Sequence, residues 1–337
     1  GIKMRKLIRS LGVAKERYTR LPNVIGVGVG YKKRSQQDTD EPAVIFFVDK
    51  KLPAETLGVD EIVPRKIGRN CTDVIEVGEM RFLSRTDKLR PAAPGSSIGH
   101  YKVTAGTFGA VVRDRGSKDL LMLSNNHVLA NSSDGVDGKA AVGDPIYQPG
   151  VYDGGSERDL IGYLERFIPI ERYSRNPDCK MAAMGVRAAN AVIHAFRPNY
   201  RMRLEKLGAT NLVDCAVARP TNPQEITPEI MELGKVNGIM DVEPGMVVKK
   251  SGRTSGVTEG KVTAIKVTLN ISMGGGSDVV RFHDQIMTEM KSMAGDSGSL
   301  VLSEENQAIG LLFAGSNDYT VLNPIGVVLD KLGVDLV

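Results

Sequence analysis

A serine set between glycines and beside an aspartate, in Met293-Ala-Gly-Asp-Ser-Gly-Ser-Leu-Val301, is the stretch of this sequence best suited to covalent chemistry. A hydroxyl nucleophile needs a tight turn that presents its oxygen, small neighbours that admit a substrate backbone, and free amides aimed at a developing oxyanion. Gly295-Asp-Ser-Gly298 supplies these, although an inert loop of turn-forming residues has the same composition. Two upstream residues tip the balance. His127 ends an apolar run in Leu123-Ser-Asn-Asn-His-Val-Leu129, and Asp214 lies within Asn211-Leu-Val-Asp-Cys-Ala-Val-Ala218. An isolated histidine in such a place is more often a packed structural residue than a base. A carboxylate flanked by Leu, Val and Ala must be compensated, because an unpaired buried charge is costly and would otherwise be protonated. A histidine whose second ring nitrogen needs orienting is a fitting partner.

Other motifs carry less. Gly26-Val-Gly-Val-Gly30 lacks G-x-G-x-x-G spacing and runs into Tyr31-Lys-Lys-Arg34 rather than a helix, so it reads as a strand with close backbone packing. Gly256-Val-Thr-Glu-Gly-Lys261 is one residue short of a phosphate loop and has Val262 where Ser or Thr would bind magnesium, which leaves a hairpin turn. The sequons at Asn70, Asn131 and Asn270 have no consequence without secretion. Histidines at 100, 127, 194 and 283 show no metal-ligand spacing, so no metal is expected.

The elements that must position these groups fall into a mainly β pattern. Residues 1–20 read as a basic helix with Leu7, Ile8, Leu11 and Tyr18 on one face. A hairpin follows, from Val24–Gly30 and Val44–Val48, then short strands near Ile62–Ile67 and Thr72–Val77. Residues 1–83 thus make a small α+β unit without a candidate catalytic group. The Pro/Ala/Gly/Ser run Arg90–Ser97 reads as a linker, dividing an N-terminal domain with its linker (1–90) from a second domain (91–337). Beyond it, short apolar runs punctuated by glycine suggest β-barrels or sandwiches: Phe108–Arg113, Leu120–Leu123, Asp159–Leu164, Asn211–Ala218 and the block Met246–Val327. Lys180–Arg197 is Ala/Met-rich with helical periodicity and reads as an inserted helix. A second Pro-rich link, Arg219–Pro228, separates two similar β halves.

Composition bounds the partners. The 337 residues hold 44 Lys+Arg against 40 Asp+Glu, a net charge of +4, with 41% apolar and 25% charged residues. Interleaved charges of both signs argue against nucleic acid, and no apolar run approaches the roughly 18 residues of a membrane span. The chain reads as soluble, although a first residue of Gly leaves a removed leader open. Cys71, Cys179 and Cys215 are odd in number and far apart, which argues against a disulfide framework and for the reducing cytoplasm. Oligomeric state is not legible here, and a homo-oligomer stays open.

In Ser-Asn-Asn-His-Val, Val-Asp-Cys-Ala-Val-Ala and Gly-Asp-Ser-Gly-Ser, taken in that order, the sequence resembles the chymotrypsin-fold serine peptidases over residues 98–337. Ala308–Ser316 is similar to the strand that pairs with substrate backbone there, and 323–332 to the closing helix. With Leu21–Gly30 and Cys71–Gly78 included, the whole chain looks closest to the plant narrow-leaf trypsin-like proteases and their bacterial relatives. The resemblance implies two six-stranded β-barrels, the first over about 98–220 with an insertion over about 165–208, the second over about 233–337. It implies a serine endopeptidase acting on protein or peptide substrates without a metal or organic cofactor: Ser297 attacks, His127 moves the proton, Asp214 fixes the imidazole, and the amides of Gly295 and Ser297 receive the oxyanion. Lys291, six residues before Ser297, falls at the base of the primary specificity pocket, with Phe313, Ala314 and Gly315 beside it. Lys291 either attracts acidic side chains or snorkels to solvent and leaves a small apolar pocket.

Three departures stand out. The 87 residues between His127 and Asp214 are about twice the family's distance, so the inserted helix could shield or gate the cleft. The paired cysteines of the secreted enzymes are missing. No activation cut is evident that would free an amino terminus for Asp296, which needs another partner unless the loop forms only on binding. A protease-fold binding module with little turnover remains the alternative reading.

Overall fold

The computed structural model describes residues 5–78, 84–172, 179–204, 210–273 and 279–337. They fall into two compact units, residues 1–83 and 84–337. In the first, helix α1 (Ile8–Arg17) accompanies strands β1 (Val24–Arg34), β2 (Gln37–Val48), β3 (Lys66–Ile67) and β4 (Asn70–Glu76), which form a sheet in the order β1-β2-β4-β3. The β1–β2 hairpin turns at Ser35 and Gln36, both at positive φ, the backbone that two-residue hairpin turns require. Leu7 and Ala14 bury against Val44, Phe46 and Ile67, whereas Ile8, expected on the same face, is exposed. The strand expected over 62–67 shrinks to its last two residues. Pro64 interrupts it, because proline cannot donate to a ladder.

The second unit opens with residues whose composition suggests a linker but which are built into its sheet region. Ala92 is fully buried and exchanges backbone hydrogen bonds with Glu225 and Thr227, and Ser96 and Ser97 are buried too. Small residues let the chain run close against its neighbours, which a composition rule misreads as looseness. The strands that follow are β5 (Ser97–His100), β6 (Gly106–Thr107), β7 (Ala110–Asp114), β8 (Leu120–Ser124), β9 (Pro145–Tyr147), β10 (Leu160–Phe167) and β11 (Ala216–Pro220). Two helices are interspersed, the single turn α2 (Asn126–Leu129) and the longer α3 (Lys180–Phe196). The second half contributes β12 (Val247–Gly252), β13 (Gly256–Ser272), β14 (Val279–Thr288), β15 (Leu300–Ser303), β16 (Ala308–Gly315) and β17 (Thr320–Pro324), then α4 (Ile325–Leu332) and β18 (Val334–Leu336).

These strands are mainly β, as the sequence suggests, but the halves differ. The second is a closed six-stranded barrel in the order β12-β13-β14-β17-β16-β15. The first is an eight-stranded sheet, β18-β7-β8-β11-β10-β9-β5-β6, rather than a six-stranded barrel, because β6 at one end and β18, which returns to pair with β7, at the other each add a strand. Each half has its own core, around Phe108, Met122, Ile146 and Ile161 in the first and Val248, Val262, Ile286 and Leu312 in the second. A third cluster joins Leu121, Leu123 and Val217 to Leu300, Leu311, Ile325 and Val328, so the halves share apolar surface. Burying each such side chain contributes about 1.5–3 kcal/mol. Gly256–Lys261 proves to be the start of β13, paired with β12, and the turn lies just before it at 253–255. The inserted helix occupies 180–196 with none of its residues buried, and none lines the cavity beside His127.

Candidate active site

His127 leaves the end of β8 on the single turn α2. Two buried asparagines fix that turn: Asn125 Nδ2 donates to the carbonyl of Asp214, and Asn126 Nδ2 donates to those of Ser133 and Ile168. Asp214 sits in the irregular segment just before β11, not in mid-strand, since the ladder begins only at Ala216. Its carboxylate is nearly sealed from solvent. Oδ2 lies 2.5 Å from His127 Nδ1 and Oδ1 accepts the His127 backbone amide at 3.1 Å. The imidazole keeps 28% of its surface exposed, so one ring nitrogen faces the acid while the ring still reaches solvent. Burial presses the imidazole pKa down, but the charge and hydrogen bond of Asp214 outweigh it and hold the pKa above the ordinary 6.5. Behind Asp214 a chain of amides reaches into the second barrel. The Asp214 amide donates to Asn323 Oδ1 at 2.8 Å, Asn323 Nδ2 donates to Gln285 Oε1 at 2.6 Å, and Gln285 Nε2 donates to the carbonyls of Leu212 and His283.

Ser297 comes from the loop before β15 and is half-buried. Its carbonyl accepts the amide of Thr107 at 2.8 Å, which ties the loop to β6 of the first sheet. Gly106 permits that approach: a Cβ there would stand 2.3 Å from Val128, next to His127, and 3.1 Å from the Ser297 carbonyl. Among the described residues, no acceptor meets the amide of Gly295 or of Ser297, and Ser297 Oγ makes no hydrogen bond. The serine loop thus holds two unspent backbone amides.

Asp296 has a partner of its own. It is fully buried against Lys250, whose Nζ lies 3.6 Å from Oδ2, with both side chains at zero exposure. The Asp296 carboxylate also accepts amides from Thr254, Ser255 and Met293 and the hydroxyl of Ser255. Burial lowers the Lys250 pKa, partly offset by Asp296. Lys250 also donates to Ser255 Oγ and the Gly256 carbonyl. A lysine of β12 therefore supplies the positive charge within the folded chain.

A cavity of about 610 Å³ opens beside His127 and Asp214, walled by Leu269, Ile271, Met287, Phe313 and Val321, with Ala314 and Gly315 along it. Lys291 does not line it. Its ammonium reaches the Asp318 carboxylate at 3.2 Å and the Asn317 carbonyl, with 64% of the side chain exposed, so the acidic-pocket expectation has no structural basis. The segment beside it is closed by small polar contacts: Ser292 Oγ bonds Thr320 Oγ1, and a Cβ on Gly315 would meet Ser292 Oγ at 2.8 Å.

Residues the sequence does not flag are Asn125, Asn126, Gln285, Asn323 and Lys250. A signal existed for Lys250. In Val247-Val-Lys-Lys-Ser-Gly252 the period-two alternation puts it on the buried side with Val248, and a buried lysine requires an acid. The amides gave no such sign, since their partners are distant in sequence.

A first sheet that offers a histidine–aspartate pair, joined to a closed barrel that offers a serine in a glycine turn, is a layout of the chymotrypsin-type β fold. The chain is similar to Protein NARROW LEAF 1 of Oryza sativa subsp. japonica, 24% identical over 365 residues that take in 93% of this chain and 57% of that protein. It thus spans less than two thirds of that relative's length. No family model matches. Among solved structures it is similar to Thermobifida fusca Protease A and to Nocardiopsis protease, each at 17% identity and TM-score 0.46, covering 73% of this chain and 99% of theirs. A glutamic acid specific serine protease matches at the same identity and TM-score over 73% of this chain and 100% of its own.

Proposed function

We propose that the chain is a serine endopeptidase working through an acyl-enzyme. One observation carries the reading: His127, paired with the buried Asp214 and still open to solvent, stands near a serine loop whose Gly295 and Ser297 amides are unspent. On this reading Ser297 Oγ attacks the peptide carbonyl and His127 takes its proton, then returns it to the leaving amine. Asp214 keeps the proton on Nδ1 and stabilises the imidazolium. The two amides hold the oxyanion, each worth about 3–4 kcal/mol in comparable sites. The missing Ser297–His127 hydrogen bond is compatible with this, because such bonds tighten when substrate binds. It equally suits a binding module that never turns over. The apolar wall of the cavity, Leu269, Ile271, Met287, Phe313 and Val321, favours substrates with apolar side chains near the cut, and the free cysteines suit a reducing cytoplasm.

A fluorophosphonate probe separates the readings. Labelling of the wild type and its loss in Ser297→Ala, with Tm unchanged, supports the peptidase. An unlabelled, folded wild type leaves the binding module. A peptide-library profile tests the cavity: apolar preference is expected, and a strong preference for Arg, Lys, Asp or Glu would remove that part of the reading.

A further inference from the structure

The hairpin turn between β12 and β13 is more than a connection. Thr254 Oγ1 donates to the carbonyl of Ala294 at 2.7 Å, and Thr107 Oγ1 donates to the carbonyl of Gly295 at 2.8 Å. Each hydroxyl is itself fed by Arg253. The Arg253 backbone amide donates to Thr107 Oγ1 at 2.9 Å and its Nη1 donates to Thr254 Oγ1 at 2.8 Å. An oxygen that already accepts must send its own hydrogen elsewhere, so both threonines are committed as donors to the loop carbonyls. Arg253 is fixed in turn. Its guanidinium forms a two-pronged ion pair with Asp153, at 12% and 5% side-chain exposure, and Asp153 also accepts the hydroxyl of Ser97.

A trans peptide points its C=O and N–H in opposite directions. Holding the Ala294 carbonyl against Thr254 therefore aims the Gly295 N–H the other way, where no acceptor among the described residues meets it. Gly295 is at φ +97°, and a Cβ there would stand 2.3 Å from Thr254 Oγ1 and 2.9 Å from Arg253 Nη1, so the latch closes only over glycine.

We propose that Arg253 and Thr254 are positioning residues that latch the Ala294–Gly295 peptide in the orientation that receives an oxyanion. The proposal rests on the peptidase reading above. It makes the hole a product of folding, with the hairpin turn and the first sheet each holding one carbonyl. Thr254 acts through the Ala294 carbonyl, and Arg253 acts through the two hydroxyls.

Thr254 is exposed, so Thr254→Val keeps its shape without a burial penalty, and Thr254→Ser restores the hydroxyl. In the full chain, the expected result for Thr254→Val is a kcat about 10- to 100-fold lower with KM nearly unchanged, matching a misaimed oxyanion donor. Fluorophosphonate labelling should slow in parallel, Tm should hold, and Thr254→Ser should recover most of the rate. Wild-type rates in Thr254→Val, or an equal loss in Thr254→Ser, would overturn the latch. Crystal structures of the two proteins decide it independently of turnover. An Ala294–Gly295 peptide that turns over in Thr254→Val supports the latch, and one that keeps its orientation overturns it. An inactive wild type would fail the peptidase reading, while that crystallographic comparison would still decide the latch.

Discussion

Asp214 and Asp296 are both sealed from solvent, at 1% and 0% exposure, yet they are furnished in opposite ways. Asp296 accepts three amides and a hydroxyl and lies in the field of Lys250, so its four lone pairs are met by backbone amides and a hydroxyl, which carry no charge to lose. Asp214 accepts one amide and one imidazole. Its balance hangs on a ring that gains and loses a proton in the physiological range. A saturated carboxylate is a fixed anchor, whereas an under-supplied one remains coupled to the chemistry of its partner. The same residue type, equally buried, thus holds a loop in one place and tunes a base in the other.

The sharpest test of that contrast is Asp214→Asn. With the wrong tautomer favoured, kcat should fall about 10⁴-fold while Tm changes little. Loss of the fold instead would mean that Asp214 is an anchor after all. Lys250→Met should do the reverse. It strands a buried carboxylate and should destabilise the protein by about 3–5 kcal/mol in urea unfolding, with activity lost as the loop goes. A variant as stable as wild type would show that the amides suffice for Asp296.

Smaller effects sharpen the comparison. Asn323→Ala removes the acceptor for the Asp214 amide and leaves Gln285 Oε1 without its donor, at about 1–3 kcal/mol. Part of that should appear in kcat, because Asp214 loses a support; an effect on Tm alone would make Asn323 purely structural. The pH profile is the mildest. On the peptidase reading the neutral imidazole is the active form, so kcat/KM should rise with pH through a midpoint above 6.5. Stability has the opposite sign: the imidazolium–Asp214 pair contributes fully below 6.5 and fades as pH rises through the folded-state pKa. In Asp214→Asn that midpoint should move down. A kcat/KM midpoint below 6.5 in the wild type would break the pairing argument.

How much of this was legible depended on how far each signal reached along the chain. Ser297, His127 and Asp214 sit in segments whose composition announces them, and the inserted helix has its own periodicity. The linker expected over 90–97 was a burial problem disguised as a composition problem, since Ala92, Ser96 and Ser97 are small because they are packed. Lys291 followed from a family position, and the Asp318 carboxylate that draws it aside lies 27 residues away. Arg253 and Thr254 sit in an ordinary-looking turn. Their meaning comes from Asp153 and Ala294, 100 and 40 residues distant, and no local pattern encodes that.

The return of Val334–Leu336 to the edge of the first sheet sets a timetable. Its middle residue, Asp335, bonds Arg115 across 220 residues, so a ribosome releases both members of the histidine–aspartate pair long before it releases the strand beside β7. Contacts this distant in sequence are slow to close and leave a sheet edge bare in the meantime. The sheet that carries His127 is therefore completed only after the Ser297 loop has been made. Stalled nascent chains lacking 334–336 should show a first sheet that proteases cut readily. Equal protection with and without those residues would mean that the sheet keeps no such schedule.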